Sequence, residues 1–320
     1  MRDWPELVRV IRGDRVESVH RGAVVIAGPG GPVEVWGAPG AVIYPRSSCK
    51  MIQALPLVEA GLESDPRRLA LACASHQGAR VHVETASAWL DELGLGEPDL
   101  RCGSHMPYSE DAAADLIRAG EAPGQLHNNC SGKHSGFLAL SKHLGADPDY
   151  IEIDHPVQRA VREAFEEVTG AESPGWAIDG CSAPNFACRL DGLALAMAAF
   201  AASGGDVRGR AMVALRDAMM AHPVLVAGEG RACTDLMRAA PGVAVKTGAE
   251  AVFVAIVPAQ KLGIAVKIAD GATRAAEAVI AALLVRLGLL DPQSDVARRL
   301  THGPIRNRRG LVTGHYEVVL

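Results

Sequence analysis

The sequence has no long run of basic side chains, no uncharged stretch long enough to cross a bilayer, no Cys-x-x-Cys pair, and no internal repeat or low-complexity tract. Each absence removes a class of function. With no basic stripe to neutralise phosphates, and a net charge of −5 from interspersed acids and bases, nucleic acid is not an expected partner. A membrane span, which needs about 20 consecutive apolar residues, is not expected either. The start Met1-Arg2-Asp3-Trp4-Pro5-Glu6 lacks the basic-then-apolar pattern of a secretory leader, so the expected compartment is the cytoplasm. The seven cysteines are odd in number and lack small-domain framework spacing, which makes free thiols the expectation in a reducing setting. Cys49, Cys73, Cys102, Cys188 and Cys233 read as small buried hydrophobes, whereas Cys130 and Cys181 lie in polar, turn-rich stretches.

What is present is a chain of 320 residues, 48% of them hydrophobic, enough for a substantial core and read as one domain over 1–320. Its first part reads as strands over 7–11, 15–27 and 33–36, separated by Arg12-Gly13-Asp14 and Gly28-Pro29-Gly30-Gly31-Pro32 turns. From Ser47 the pattern turns helical, with Ile52, Leu55, Val58 and Leu62 at helical spacing up to Asp65-Pro66. Further helices are expected over 66–74, 80–94, 109–120, 131–144, 155–169, 192–203, 206–221 and 229–239. A short strand is expected near 175–180, strands over 243–247, 251–257 and 263–268, and a helix over 272–288. Strands at both ends with helices between them predict an α/β (α+β) fold in which N- and C-terminal strands form one antiparallel sheet packed against helices. That is the outline of a serine β-lactamase-like architecture. The place of 298–320 in that sheet is open at this level.

Two short stretches carry unusual chemistry. In Ser47-Ser48-Cys49-Lys50 a serine stands three residues ahead of a lysine, so both can share one face of a helix that begins near Ser47. A neutral amine there could accept the serine's proton if burial or a second cation favoured the neutral form, and Lys246-Thr247-Gly248 supplies a candidate second cation. Ser-x-x-Lys and Lys-Thr-Gly together are signatures of serine β-lactamases and penicillin-binding proteins.

Three polar islands interrupt apolar surroundings: Cys73-Ala74-Ser75-His76-Gln77-Gly78, His127 to Gly136, and Asp179-Gly180-Cys181-Ser182-Ala183-Pro184-Asn185. Ser75 reads either as a helix cap or as a second reactive hydroxyl. The second island opens an apolar helix, whose unpaired N–H groups could serve an anion. Cys130 and Lys133 can share a helix face, and two thiols plus a nitrogen suit a soft tetrahedral ion such as zinc.

Six blocks, in order, resemble the asparaginase II family, the Rhizobium-type or class 3 L-asparaginases. They are Arg46-Ser47-Ser48-Cys49-Lys50 with Gln53-Ala54-Leu55-Pro56, Cys73-Ala74-Ser75-His76, Asn128-Asn129-Cys130-Ser131-Gly132-Lys133-His134, Asp154-His155-Pro156-Val157-Gln158, Asp179-Gly180-Cys181-Ser182-Ala183-Pro184 and Lys246-Thr247-Gly248-Ala249-Glu250. The resemblance covers nearly the whole chain. It implies a β-lactamase/glutaminase-like fold, a homodimer, and hydrolysis of L-asparagine to L-aspartate and ammonia. It places the family's two serine–lysine tandems on Ser47 with Lys50 and on Ser75 with Lys246, and its zinc ligands on Cys130, Lys133 and Cys181. His76, Asn129 and His134 within these blocks become candidate substrate-binding residues. Where the family often continues Ser-Gly-Glu after the second serine block, this chain has Gln77-Gly78-Ala79.

The chemistry of amide hydrolysis fits these residues. It needs an activated hydroxyl, a proton donor for departing ammonia and donors for a tetrahedral oxyanion. A free amino acid also needs its charges recognised, and Arg46 and Asp179 have the right signs, unless they form a structural ion pair. Two other readings share the motifs. A β-lactam- or cell-wall-peptide hydrolase is disfavoured because no Ser-Asp-Asn block lies between Ser47 and Lys246, and a non-catalytic zinc or amino-acid sensor has no need of two hydroxyl–amine pairs.

Overall fold

The computed structural model describes residues 3–320 and divides into two compact units. One comprises the chain up to Ile43 with Arg189–Ala202 and Asp235–Leu320; the other comprises Tyr44–Cys188 and Ser203–Thr234.

The first unit is built on one sheet. Its strands are β1 (Glu6–Arg12), β2 (Arg15–Gly28), β3 (Gly31–Trp36), β4 (Ala244–Gly248), β5 (Val252–Val257), β6 (Leu262–Ile268), β7 (Pro304–Arg306) and β8 (Val312–Val318). They lie in the order β7-β8-β1-β2-β6-β5-β4, all antiparallel, with β3 also paired to β2. The expected strands lie within a few residues of these, and the open C-terminal stretch is settled: Val318 pairs with Val8, so the end of the chain completes the sheet.

Strand β2 makes this topology possible because it is long enough to serve two partnerships. Its first half, to Arg21, pairs with β1, and its second half, from Gly22, pairs with β6 and β3. The handover falls at Gly22, where a Cβ would lie 2.6 Å from Leu7 Cδ1 and 2.8 Å from the Lys267 carbonyl oxygen.

Strand β5 has six consecutive buried residues, which requires cover on both faces, and the helices Leu190–Ala202 and Thr273–Arg286 supply it. Leu190–Ala202 is apolar nearly all round, as a helix enclosed by its unit must be. It approaches β6 so closely that a Cβ on Gly263 would lie 2.1 Å from Ala198 N and 2.3 Å from Ala194 O. Gly263→Ala should therefore destabilise the protein by at least about 1–3 kcal/mol, because rigid main chain must move. Gly30, which has nothing within 4 Å, is the control. Urea denaturation giving equal midpoints for Gly263→Ala and Gly30→Ala would overturn this packing.

The second unit is helical. Ser131–His143 is its central helix, buried without a break from Ser131 to Ser141, with the helices Leu55–Glu59, Pro66–Ala72, Arg80–Glu92 and Pro156–Thr169 against it. Gly132 lets it close on Pro66–Ala72, since a Cβ there would meet the Leu71 carbonyl oxygen at 2.4 Å. The helix expected across 47–62 is broken into a 3-10 turn Arg46–Cys49 and two short helices, Lys50–Gln53 and Leu55–Glu59. Pro56 explains the second break, because it lacks an N–H and restricts the residue before it. In the Asp154-His155-Pro156 block, His155 caps its helix by accepting the Val157 N–H at 3.1 Å and Pro156 occupies the first turn.

Candidate active site

Three motif blocks of the second unit, those of Lys50, Ser75 and Cys130, meet around the amine of Lys50, which is only 1% exposed. Its Nζ donates to the Ala74 carbonyl oxygen, lies 3.3 Å from the Asn129 carbonyl oxygen, 3.3 Å from Ser75 Oγ and 3.0 Å from Cys130 Sγ. The two carbonyls can only accept, so they claim two N–H bonds. The remaining position faces the Ser75 hydroxyl and the Cys130 thiol. It is a lone pair able to take a proton when the amine is neutral, and a third N–H when it is charged.

Lys50 therefore meets Ser75, not the Ser47 expected from the three-residue spacing. Ser47 sits in the 3-10 turn, half-buried, and its hydroxyl makes no hydrogen bond among the described residues. Its neighbour Ser48 turns inward and donates to the Pro45 carbonyl at 2.7 Å. Lys246 belongs to the first unit, where it is buried on β4 and donates to the Thr247 carbonyl at 2.7 Å.

The thiol pair forms the second part of the site. Lys133 Nζ lies 3.1 Å from Cys181 Sγ. A hydrogen bond from Cys130 holds the Cys181 thiol well below the ordinary thiol range against burial, and Lys133 and His134 pull the same way. The same bond, with burial, pushes Cys130 well above that range. Burial disfavours charge on Lys133, but the neighbouring Cys181 and Cys130 sulfurs outweigh it and raise its pKa. The pair thus shares one proton beside an ammonium. By contrast, burial pushes Cys49 and Cys102 up to about 12, as inert core thiols should be.

Arg46 and Asp179 form the third part. Arg46 Nε and Nη2 both reach Asp179 Oδ1, at 2.8 and 2.7 Å, which leaves Nη1 and Oδ2 without a protein partner among the described residues. The pair is held by strained backbone: Arg46 lies at φ +53 and Ser182 at φ +70. Asn185 Oδ1 accepts the Arg46 N–H at 3.3 Å, a contact that links the Arg46 turn to the Asp179 loop.

The expected substrate-facing residues are placed unequally. Asn129 is half-buried, its carbonyl on Lys50 and its Oδ1 3.1 Å from Cys130 Sγ. His76 is fully buried and both ring nitrogens are engaged, Nδ1 by the Gly78 N–H at 3.1 Å and Nε2 by Ser131 Oγ at 2.9 Å. Burial and the stacked His82 ring, 4.7 Å away, push its pKa well down, so it is a neutral brace for the Asn128–Lys133 turn. His134 is also fully buried, with Nδ1 on the Tyr150 hydroxyl at 2.9 Å. Sequence reasoning missed Tyr150 and the carbonyls of Ala74 and Asn129, for which side-chain motifs give no signal.

The family model described as L-asparaginase II matches residues 8–318. The chain belongs to the L-asparaginase II family. No curated protein sequence matches it. Among solved structures, the chain resembles Mglu in its glutamate form, with a TM-score of 0.50 and 14% identity over 86% of this chain and 62% of that one. A β-lactamase from Sphaerobacter thermophilus gives a TM-score of 0.43 and 17% identity over 85% of this chain and 94% of that one. The Mglu likeness bears on the fold, and the chain spans 61–69% of the length of the Mglu chains it matches.

Within this L-asparaginase II family member the thiol pair gives a direct test of the site's electrostatics. In metal-free protein, thiolate ultraviolet absorbance should report one thiol ionising well below the ordinary range. Cys181→Ala should abolish that step and Cys130→Ala should move it upward, because the hydrogen bond that favours the Cys181 anion is gone. An unchanged low titration in Cys181→Ala would refute the assignment.

Proposed function

We propose that this protein hydrolyses L-asparagine to L-aspartate and ammonia by hydroxyl attack on the side-chain amide. The observation that carries the reading is the buried Lys50 amine set 3.3 Å from the Ser75 hydroxyl, in a chain matched to the L-asparaginase II family over 8–318. A serine oxygen adds to the amide carbon as its proton passes to an amine. The resulting ammonium then protonates the departing nitrogen, and water repeats the sequence on the ester. Ser75 and Lys50 are assigned to this proton traffic. Ser47 is the second hydroxyl and Lys246 the second lysine by the family motif. Arg46 Nη1 and Asp179 Oδ2 suit the carboxylate and ammonium of a free amino acid.

The reading includes a zinc ion. No three His, Cys, Asp or Glu side chains gather into a metal site among the described residues, so an ion here needs the Lys133 amine as third donor. The Cys130, Cys181 and Lys133 cluster has that soft composition, and Lys133 and Cys130 must each lose a proton to ligate. Zinc held there would supply a fixed positive charge for orienting substrate. A homodimer is part of the same family-based reading, and light scattering tests it.

Purified protein should release ammonia from L-asparagine, with L-glutamine poorer by roughly 10- to 200-fold, the discrimination one methylene allows. Nitrocefin should not turn over. Lys50→Met should lower kcat at least about 100-fold while folding normally, the lower scale for a lost acid–base group. Absence of ammonia release from L-asparagine, or near-normal kcat in Lys50→Met, would refute the mechanism.

Elemental analysis of protein purified without chelators should find one zinc per chain, bound more tightly as pH rises because fewer ligand protons must be displaced. Chelation should weaken asparagine binding more than it lowers the melting temperature. Metal-free protein that neither takes up zinc nor changes its kinetics on zinc addition would exclude the ion.

A further inference from the structure

Tyr150 is fully buried and lies between two polar partners. Its Oη accepts the Arg101 main-chain N–H at 2.7 Å and sits 2.9 Å from His134 Nδ1. Its place is fixed from two sides. Gln158 Nε2 donates to the Tyr150 carbonyl at 2.7 Å, and Asp149 Oδ1 accepts from Arg101 Nε at 3.1 Å.

Donor accounting then determines where the imidazole proton resides. A phenol oxygen carries one hydrogen, and an amide N–H can only donate, so Oη is the acceptor from Arg101. No other acceptor among the described residues takes the phenol proton, which therefore points to His134 Nδ1. That nitrogen is an acceptor, and the ring's own proton is on Nε2. His134 Nε2 is buried and has no partner with hydrogen-bond geometry among the described residues. Beside it lies the Cys181 side chain. A buried polar side chain with one unsatisfied donor, held in a fixed tautomer, points to the group that donor is meant to serve.

We propose that Tyr150 is a positioning residue that fixes His134 as the Nε2–H tautomer, presenting a single hydrogen-bond donor to the Cys181 sulfur. The consequence rests on the zinc reading above. A donor on a ligating thiolate orients the sulfur and moderates its charge, as outer-shell partners of metal ligands do. Tyr150 then reaches the ion only through His134, across the 131–150 segment.

The test separates the tautomer from the metal. In metal-free wild type, 15N shifts of the His134 ring should show a protonated Nε2 and a bare Nδ1, while Tyr150→Phe should give a mixture of tautomers. In chelator competition, Tyr150→Phe should weaken zinc binding about 10- to 100-fold, the usual range for a lost outer-shell partner. His134→Phe should weaken it by a similar factor, and the double variant no further, because both act along one chain. A protonated Nδ1 in wild type, or a Tyr150→Phe protein with unchanged tautomer, overturns the proposal. So does additive loss in the double variant. If wild type binds no zinc, the zinc reading fails, and the nitrogen shifts still decide whether Tyr150 sets the tautomer.

Discussion

The site depends on one buried amine. An unpaired polar group at the depth of Lys50 would cost several kcal/mol, roughly the scale of removing an amide from water without a partner. Lys50 avoids that cost by gathering the Ala74 and Asn129 carbonyls, the Ser75 hydroxyl and the Cys130 thiol. Those partners come from two loops far apart in sequence, so the same contacts that satisfy the amine also fix the distance between a serine and a thiol. Lys133 Nζ lies beside the other thiol, Cys181. Lys50 is thus both the amine beside the Ser75 hydroxyl and the donor that the Ala74 and Asn129 carbonyls share.

Much of the fold was legible because patterns local in sequence determine it. Helices over 131–144 and 155–169 were readable within a residue at either end from apolar spacing and from His155-Pro156, and the strands of the sheet from β-branched runs between glycine turns. The broken helix after Ser47 was not, since Ile52, Leu55 and Val58 keep helical spacing across a break that Pro56 imposes. The role of 304–318 was not legible either, because whether a short strand joins a sheet is decided by an edge elsewhere, here β1.

The candidate site was legible as residue types but not as pairings. The spacing of Ser47 and Lys50 allows a contact along one helix face, yet Lys50 turns to Ser75, because a cluster of carbonyls there offers more acceptors than one hydroxyl does. His76 looked like a substrate ligand from its place beside Ser75. Its ring nitrogens are instead used inside the fold, which no motif could report. Arg46 and Asp179 carried two readings, substrate recognition and ion pair. The geometry shows the ion pair: both contacts converge on Asp179 Oδ1 and leave Arg46 Nη1 and Asp179 Oδ2 without a protein partner among the described residues.

The strained backbone around that pair gives the arrangement its cost. Non-glycine residues at left-handed φ cost about 1–3 kcal/mol each, and Arg46 and Ser182 both adopt it beside the same carboxylate. Such strain persists where surrounding bonds over-determine the turn, as the bonds from Arg46 to Asp179 and Asn185 do. Gly78 lies at φ +67, with His127 O only 2.7 Å from where a Cβ would be, so a side chain there would be strained. Ala79 begins the helix Arg80–Glu92 without an accepting side chain, and His82 Nδ1 takes the Ala79 N–H at 3.1 Å instead. The helix start is thus stabilised by an imidazole nitrogen. No anionic side chain stands at 77–79, and Asp179 keeps Oδ2 without a protein partner among the described residues because both Arg46 contacts fall on Oδ1.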